Sequence, residues 1–304
     1  MGAVSNRRAD QLRERLEDPR IVVAPGVTDA LTARLAVSMG FDAVYVGGYV
    51  MGQVLGMTEP LMTATETIDF AGHIAGSVDV PVIVDGNAGF GDLLHCRRNV
   101  AAFGRAGVAA VHVEDQIYPK RARYFEGHNY VVERAHAVEK IRFAVRAARE
   151  DHDIVVIGRT DAREAQGGGY EEAVARCRAF LDEGAEVVMP YATCAPDEEE
   201  AGDVVTRVGG PTMYVASEGK TQHARLTAPE LEQLGWRIVI FNLSALMTSV
   251  QAVGAMLEHL REFGTSGMTL ETVARTRATV EGLARLPEMY DVERASGPAE
   301  VHRG

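Results

Sequence analysis

Two acids close the apolar run VHVED (111–115), and a basic, aromatic stretch, QIYPKRARYFEGHNYV (116–131), follows them. A second apolar run, PVIVDGN (81–87), also brings an acid to its end. If these runs are neighbouring strands, Asp85 and Glu114 approach one another and repel unless a cation sits between them. Hard oxygen donors of this kind suit Mg2+ or Mn2+, which keep several waters. Helix capping, or a salt bridge to a loop lysine, is the plain structural alternative. Arg159, near the end of IVVIGRTD (154–161), offers a fork of donors that matches a carboxylate or phosphonate. Pairing with Asp161 or Glu114 is its alternative. His112 shares the parity of Glu114 and so points the same way, most simply as a buried, hydrogen-bonded core residue.

These residues need a frame to hold them. Eight short runs rich in Val and Ile recur, at 21–26, 42–48, 81–87, 109–115, 154–161, 186–191, 211–217 and 237–243. Longer amphipathic stretches separate them, among them 28–40, which opens on a Thr cap and closes on Gly, and 170–184, which also closes on Gly. That beat is the signature of βαβ units around a parallel sheet buried on both faces. Eight units in about 250 residues predict a TIM (β/α)8 barrel, with a doubly wound open sheet as the alternative. In a barrel the active site gathers at the C-terminal ends of the strands. Those ends supply Gly47, Gly48 and Tyr49; Asp85 and Asn87; Glu114 and Asp115; Arg159 and Asp161; Tyr191; Ser217; and Asn242. The stretch 244–264 is expected to complete the barrel. A surplus amphipathic stretch, 270–286, needs a partner subunit or the barrel floor to cover it.

Composition narrows the partners. The chain has 304 residues, 46% hydrophobic and 24% charged, and no polar tract separates two halves, so a single domain (1–304) is expected, with its core at about 20–262 and a helical extension over about 264–304. A net charge of −12 with scattered basic residues makes nucleic acid and anionic membrane poor partners. Cys96, Cys177 and Cys194 show no CxxC spacing, and their odd count argues against a disulfide framework. The first 20 residues are charged, without a signal-like apolar core, and no apolar run approaches the roughly 18 residues of a membrane span. A soluble, cytoplasmic protein is the expectation. QGGGYEE (166–172) is a turn ahead of a helix, not a phosphate loop.

Taken together, GVTDALTARLAVSMGFDAVYVGG (26–48), VDGNAGFGD (84–92), VHVEDQIYPKR (111–121), GRTDARE (158–164) and EGKT (218–221) resemble the isocitrate lyase and phosphoenolpyruvate mutase superfamily, over about residues 20–262. The resemblance implies a Mg2+-dependent barrel, Mn2+ being possible, that makes or breaks C–C or P–C bonds beside a carboxylate through an enolate-like intermediate. It implies a homotetramer or homodimer that exchanges a C-terminal helix between subunits. By position, Asp85 and Glu114 resemble the metal site, with Asn87 at a third metal-shell position. Gly47 and Gly48 resemble the backbone donors to substrate, Arg159 the anion clamp, and 116–131 a gating loop that carries Lys120. Tyr45, Tyr49, Asn87, Tyr191, Tyr214, Ser217 and Asn242 complete the expected substrate contacts, and Glu59, in GMTEP, lies near a family acid.

The departures shape the chemistry. Lyases of this family carry KRCGH in the gating loop, where the cysteine is the acid; here the loop reads KRARY (120–124). Ala122 cannot transfer a proton, so Tyr124 becomes the candidate acid, beside Lys120 and Arg159. The mutases and hydrolases of phosphonopyruvate carry a loop Asn that this chain lacks. The usual DxDxG reads DGNAG, Tyr191 stands where lyases often have Glu, and Tyr214 and Ser217 replace Asn and Glu. The expectation is a lyase for a small 2-oxo or 2-hydroxy (di)carboxylic acid. Its alternatives are a phosphonopyruvate-type mutase or hydrolase and a non-catalytic carboxylate-binding barrel.

Overall fold

Each Val/Ile run forms a strand, shorter than its apolar pattern because the last residues turn into the loops. In the computed structural model, which describes residues 3–127, 129–191, 195–217 and 226–295 and only the backbone of Tyr124 and Phe125, the strands are β1 (Val22–Pro25), β2 (Val44–Val46), β3 (Val82–Asp85), β4 (Ala110–Glu114), β5 (Val155–Arg159), β6 (Val187–Met189), β7 (Met213–Val215) and β8 (Ile238–Phe241). All pair in parallel. One arc runs β2-β3-β4-β5-β6 and the other β1-β8-β7. Single parallel bridges, Gly26 to Tyr45 and Val188 to Thr212, join the arcs at both seams. The strand order therefore runs round from one to eight and back, as the barrel reading requires.

The pleat divides the side chains into two cores. Val82, Val84, Val111, Val113, Val156 and Val188 turn outward into the layer under the helices. Ile83, Ala110, Ile157, Met189, Val215 and Ile240 turn inward. Ala9 and Leu12 of the N-terminal helix Arg7–Glu17 join that inner cluster, with no exposed surface, and stopper the barrel floor. With the floor sealed by apolar contact, polar chemistry is left to the opposite mouth.

The C-terminal part departs from expectation. The chain divides after Leu246 into two compact units, Met1–Leu246 and Met247–Gly304. The helix Ser244–Phe263, expected to complete the barrel, has no buried residue, and neither have Leu270–Leu283 and Leu286–Ala295. The stretch predicted over 270–286 forms one helix, Leu270–Leu283; Arg285 then adopts a left-handed φ of 60°, and Pro287 lies in the first turn of a further helix, Leu286–Ala295. Met247, Val250, Val253, Leu257 and Leu260 recur at helical spacing on an exposed stripe. Among the described residues no helix is long and apolar enough to cross a membrane.

Candidate active site

The register of the strands decides which polar ends meet. Asp85 pairs with His112, and Glu114 with Arg159, so the four side chains share the inner face at the C-terminal mouth. Behind Asp85 the chain turns sharply: the Asn87 N–H donates to Asp85 Oδ1 (2.8 Å) and the Gly48 N–H to Oδ2 (3.2 Å). Only glycine fits at 86, where a Cβ would stand 2.6 Å from Val111 Cγ2 and 2.7 Å from the His112 carbonyl oxygen. At 48 a Cβ would lie 2.9 Å from Glu59 Oε1 and 3.0 Å from Asp85 Oδ2, so this glycine keeps open the approach between two acids.

Two cations face these acids. Lys120 enters from the 116–131 stretch, its Nζ 2.5 Å from Glu59 Oε1 and 3.2 Å from Glu114 Oε1. Arg159 lies across the barrel wall, its Nη1 3.3 Å from Glu114 Oε2 and 3.9 Å from Asp85 Oδ2, while Asp161 accepts from its Nε (2.9 Å) and Nη2 (3.1 Å). His112 Nε2 meets the Tyr45 hydroxyl at 2.9 Å, and its Nδ1, 3.7 Å from Asp85 Oδ1, makes no hydrogen bond among the described residues. All of these groups are buried.

Burial and charge pull the carboxyls apart. Burial pushes Glu114 up to about 7 against the pull of Lys120 and Arg159, and it raises Glu59 in the same way. On Asp85 burial also acts upward, but His112, Lys120, Arg159 and the Asn87 N–H outweigh it and hold the carboxyl well below the usual range. Burial lowers His112 itself to about 4, so at neutral pH the imidazole is uncharged and the two permanent cations do the holding. Tyr45, raised first by burial and then by Asp85, keeps its proton. Asp85 is the firmly ionised acid of the group.

Glu114 is the incomplete one. Both of its oxygens are buried and ion-paired, to Lys120 and Arg159, yet among the described residues neither accepts a hydrogen bond, although buried polar oxygens in folded proteins are normally supplied with one. Such oxygens, beside Asp85 and Glu59, make an all-oxygen donor set of the kind Mg2+ or Mn2+ takes. Among the described residues no three acidic, imidazole or thiol side chains close on one point, so an ion here would complete its shell with water and substrate oxygens, as Mg2+ usually does. The residues present fit that group.

The remaining predicted residues divide. Gly47 caps the short helix Gly48–Val54, and Tyr49 is half-buried in its first turn. Ser217 and Asn242 continue the inward parity of β7 and β8, and Asn242 Oδ1 is buried without a hydrogen-bond partner among the described residues. Asn87 turns its Oδ1 onto the Ala88 N–H (2.7 Å), away from the metal-shell role its position suggests. Two expected substrate contacts are corrected. Tyr214 sits between the inward Met213 and Val215, so the pleat sends it outward, where its hydroxyl accepts from the Ala195 N–H (3.2 Å) and its ring meets Trp236. Tyr191 follows Pro190, beyond the end of β6; its ring lies in the same outer layer and its hydroxyl donates to Glu200 (3.1 Å). The side chain of Tyr124, Cys194 and the EGKT stretch lie outside the described residues. Glu59 is the site acid that a survey of strand ends passes over, since it sits on the short turn Glu59–Leu61 between helices. The 116–131 stretch, which shows no regular pattern in sequence, has a 3-10 turn at Ala122–Glu126 and stems zipped by a Gln116–Val131 bridge and an Ile117 N–H to Tyr130 carbonyl bond (3.0 Å).

A parallel eight-stranded barrel with a buried acid and base cluster at its C-terminal mouth is an enzyme scaffold. The family model for phosphoenolpyruvate phosphomutase matches residues 12–295. The 2-methylisocitrate lyase of Aeropyrum pernix is 36% identical over 256 residues, covering 84% of this chain and 80% of its own. The 2,3-dimethylmalate lyase of Eubacterium barkeri is 32% identical over 287 residues, 94% of this chain and 96% of its own. A crystal structure of oxaloacetate acetylhydrolase superposes with a TM-score of 0.84 at 30% identity, over 96% of this chain and 99% of that one. The chain belongs to the phosphoenolpyruvate mutase and isocitrate lyase superfamily, and two of these relatives carry the lyase class expected from its sequence.

Proposed function

We propose that this protein is a divalent-metal-dependent lyase that makes or breaks a C–C bond in a small 2-oxo or 2-hydroxy acid. The observation that carries the reading is Glu114, buried and ion-paired between Lys120 and Arg159, with neither oxygen accepting a hydrogen bond among the described residues. A framework acid would have those lone pairs filled; an acid that completes its shell with a ligand would not. Relatives named for methylisocitrate, dimethylmalate and oxaloacetate give the substrate class its support.

In this reading Arg159 receives the substrate carboxylate and the Gly47 and Gly48 amides receive a second oxygen. Asp85 and Glu114, with Glu59 close by, would hold Mg2+ or Mn2+, which supplies Lewis-acid stabilisation of enolate-like charge. Lys120 ties the 116–131 stretch to Glu59 and Glu114 and so covers the mouth against water. Ala122 offers no proton, which leaves the Tyr124 phenol or a water to protonate the leaving enolate.

An NMR screen of 2-oxo, 2-hydroxy and phosphonate acids, with Mg2+ and with excess EDTA, tests this. The expected outcome is Mg2+-dependent conversion of one of the first two classes. Full activity in EDTA would sink the mechanism, P–C cleavage would transfer the site to mutase or hydrolase chemistry, and metal-dependent binding without turnover would leave a carboxylate-binding barrel. For the assembly, the exposed apolar stripe on Ser244–Phe263 supports cover by a second copy of the chain, in a dimer or tetramer. A monomer by light scattering at micromolar concentration overturns that part.

A further inference from the structure

We infer that Asp161 is a positioning residue: its carboxylate fixes the plane of the Arg159 guanidinium and ties it to the first residue of the 116–131 stretch. The inference rests on the reading of Arg159 as the substrate's anion clamp. A guanidinium on a flexible stem recognises a carboxylate well only if its plane is set beforehand. Asp161 sets it with a fork, Oδ1 accepting from Nε at 2.9 Å and Oδ2 from Nη2 at 3.1 Å, which directs the Nη1 side toward Glu114 and Asp85. The same Oδ2 accepts from Gln116 Nε2, where the stretch begins.

Asp161 is itself held from behind. Its N–H donates to Asp115 Oδ1 (2.9 Å), and Asp115 Oδ2 accepts from Thr160 Oγ1 (2.6 Å) and Arg176 Nη1 (2.9 Å). Arg176 is in turn anchored to Glu172 (2.8 Å). Asp161 and Thr160 have no exposed surface, and Asp115 has 1%. The clamp therefore stands on a buried, cross-linked base in the outer layer, and water does not compete for the fork. Because one oxygen serves both Arg159 and Gln116, the setting of the clamp and the stem of the covering stretch are mechanically joined.

The test uses oxalate, a planar dicarboxylate, titrated calorimetrically into the full-length protein with Mg2+. Asp161→Asn keeps the shape but puts an NH2 against a donor, and should weaken oxalate binding by about 10- to 100-fold, the range of a lost hydrogen bond to a charged group. In steady-state kinetics the loss should fall mainly on KM. Because the effect passes through Arg159, the double variant with Arg159→Lys should bind no more weakly than Arg159→Lys alone, whereas a merely structural role would make the losses add. If Asp161→Asn does not fold, Gln116→Leu, which removes only the second partner of Oδ2, should cut affinity by about threefold. Wild-type affinity in whichever of the two variants folds, or full additivity in the cycle, overturns the positioning role alone. A wild-type protein that does not bind oxalate with Mg2+ removes the clamp reading, and the positioning role with it.

Discussion

Glu114 and Asp115 are adjacent, each 1% exposed, and they have opposite fates. The pleat turns Glu114 into the barrel, where Lys120 and Arg159 pair with it as charges but, among the described residues, no hydrogen bond reaches its oxygens, and Asp115 into the outer layer, where Thr160, Arg176 and the Asp161 N–H supply three. Burial raises the pKa of both. What separates them is satisfaction of the lone pairs rather than depth. The filled acid is part of the frame, and the unfilled one is where a ligand is needed.

The largest effect should come from damaging the filled acid. Asp115→Ala leaves the Arg176 guanidinium, the Thr160 hydroxyl and the Asp161 N–H short of a partner in a buried layer. Breaking a buried pair from one side costs about 3–5 kcal/mol, and the lower end applies because Arg176 keeps Glu172. Thermal unfolding of the metal-free protein should fall by about 10 °C. A midpoint within about 2 °C of wild type would show that the outer network is not a frame, and the contrast with Glu114 would lose its meaning.

The same pair shows how far sequence carries. Short apolar runs rich in Val and Ile located all eight strands, and the rule that barrel chemistry gathers at strand ends pointed to Asp85, Glu114 and Arg159, which the structure brings together. The pleat, applied residue by residue, also explains Tyr214: its inward neighbours Met213 and Val215 send it outward, a signal already present in the alternation. Tyr191 was less legible, since it lies past the last pleated residue of its strand. Glu59 was reached only through the family resemblance, and the target of Lys120 was hidden, because loops place them, and a loop's path follows from tertiary contacts that local pattern does not encode. The fork between Asp161 and Arg159 was legible only as one of two pairings, since register alone decides whether Arg159 also faces Glu114. Beyond Leu246, helical periodicity was plain, but what covers an apolar stripe is a property of the surface opposite it.

The smaller and more discriminating effect belongs to the unfilled acid. Glu114→Gln removes a buried charge while keeping shape, and the neighbouring cations are not abandoned: Lys120 retains Glu59 at 2.5 Å and Arg159 retains the Asp161 fork. Desolvation that the carboxylate suffers in the metal-free protein is relieved, so the variant should be as stable as wild type or more stable by about 0.5–2 kcal/mol, the usual direction when a strained functional group is neutralised. In a barrel of this size that is a rise of about 1–8 °C, at roughly 2–4 °C per kcal/mol. With Mg2+ at about a hundredfold its Kd, wild type should gain about 2.7 kcal/mol by mass action, and the variant far less, because one of its oxygen donors has become a neutral amide. Turnover should drop by about 100- to 1,000-fold, the scale of a lost electrostatic contact in a dry site. Differential scanning with and without Mg2+ reads both arms at once. A melting loss comparable to that of Asp115→Ala would make Glu114 a second framework acid, and the site would then have to be sought elsewhere on the mouth.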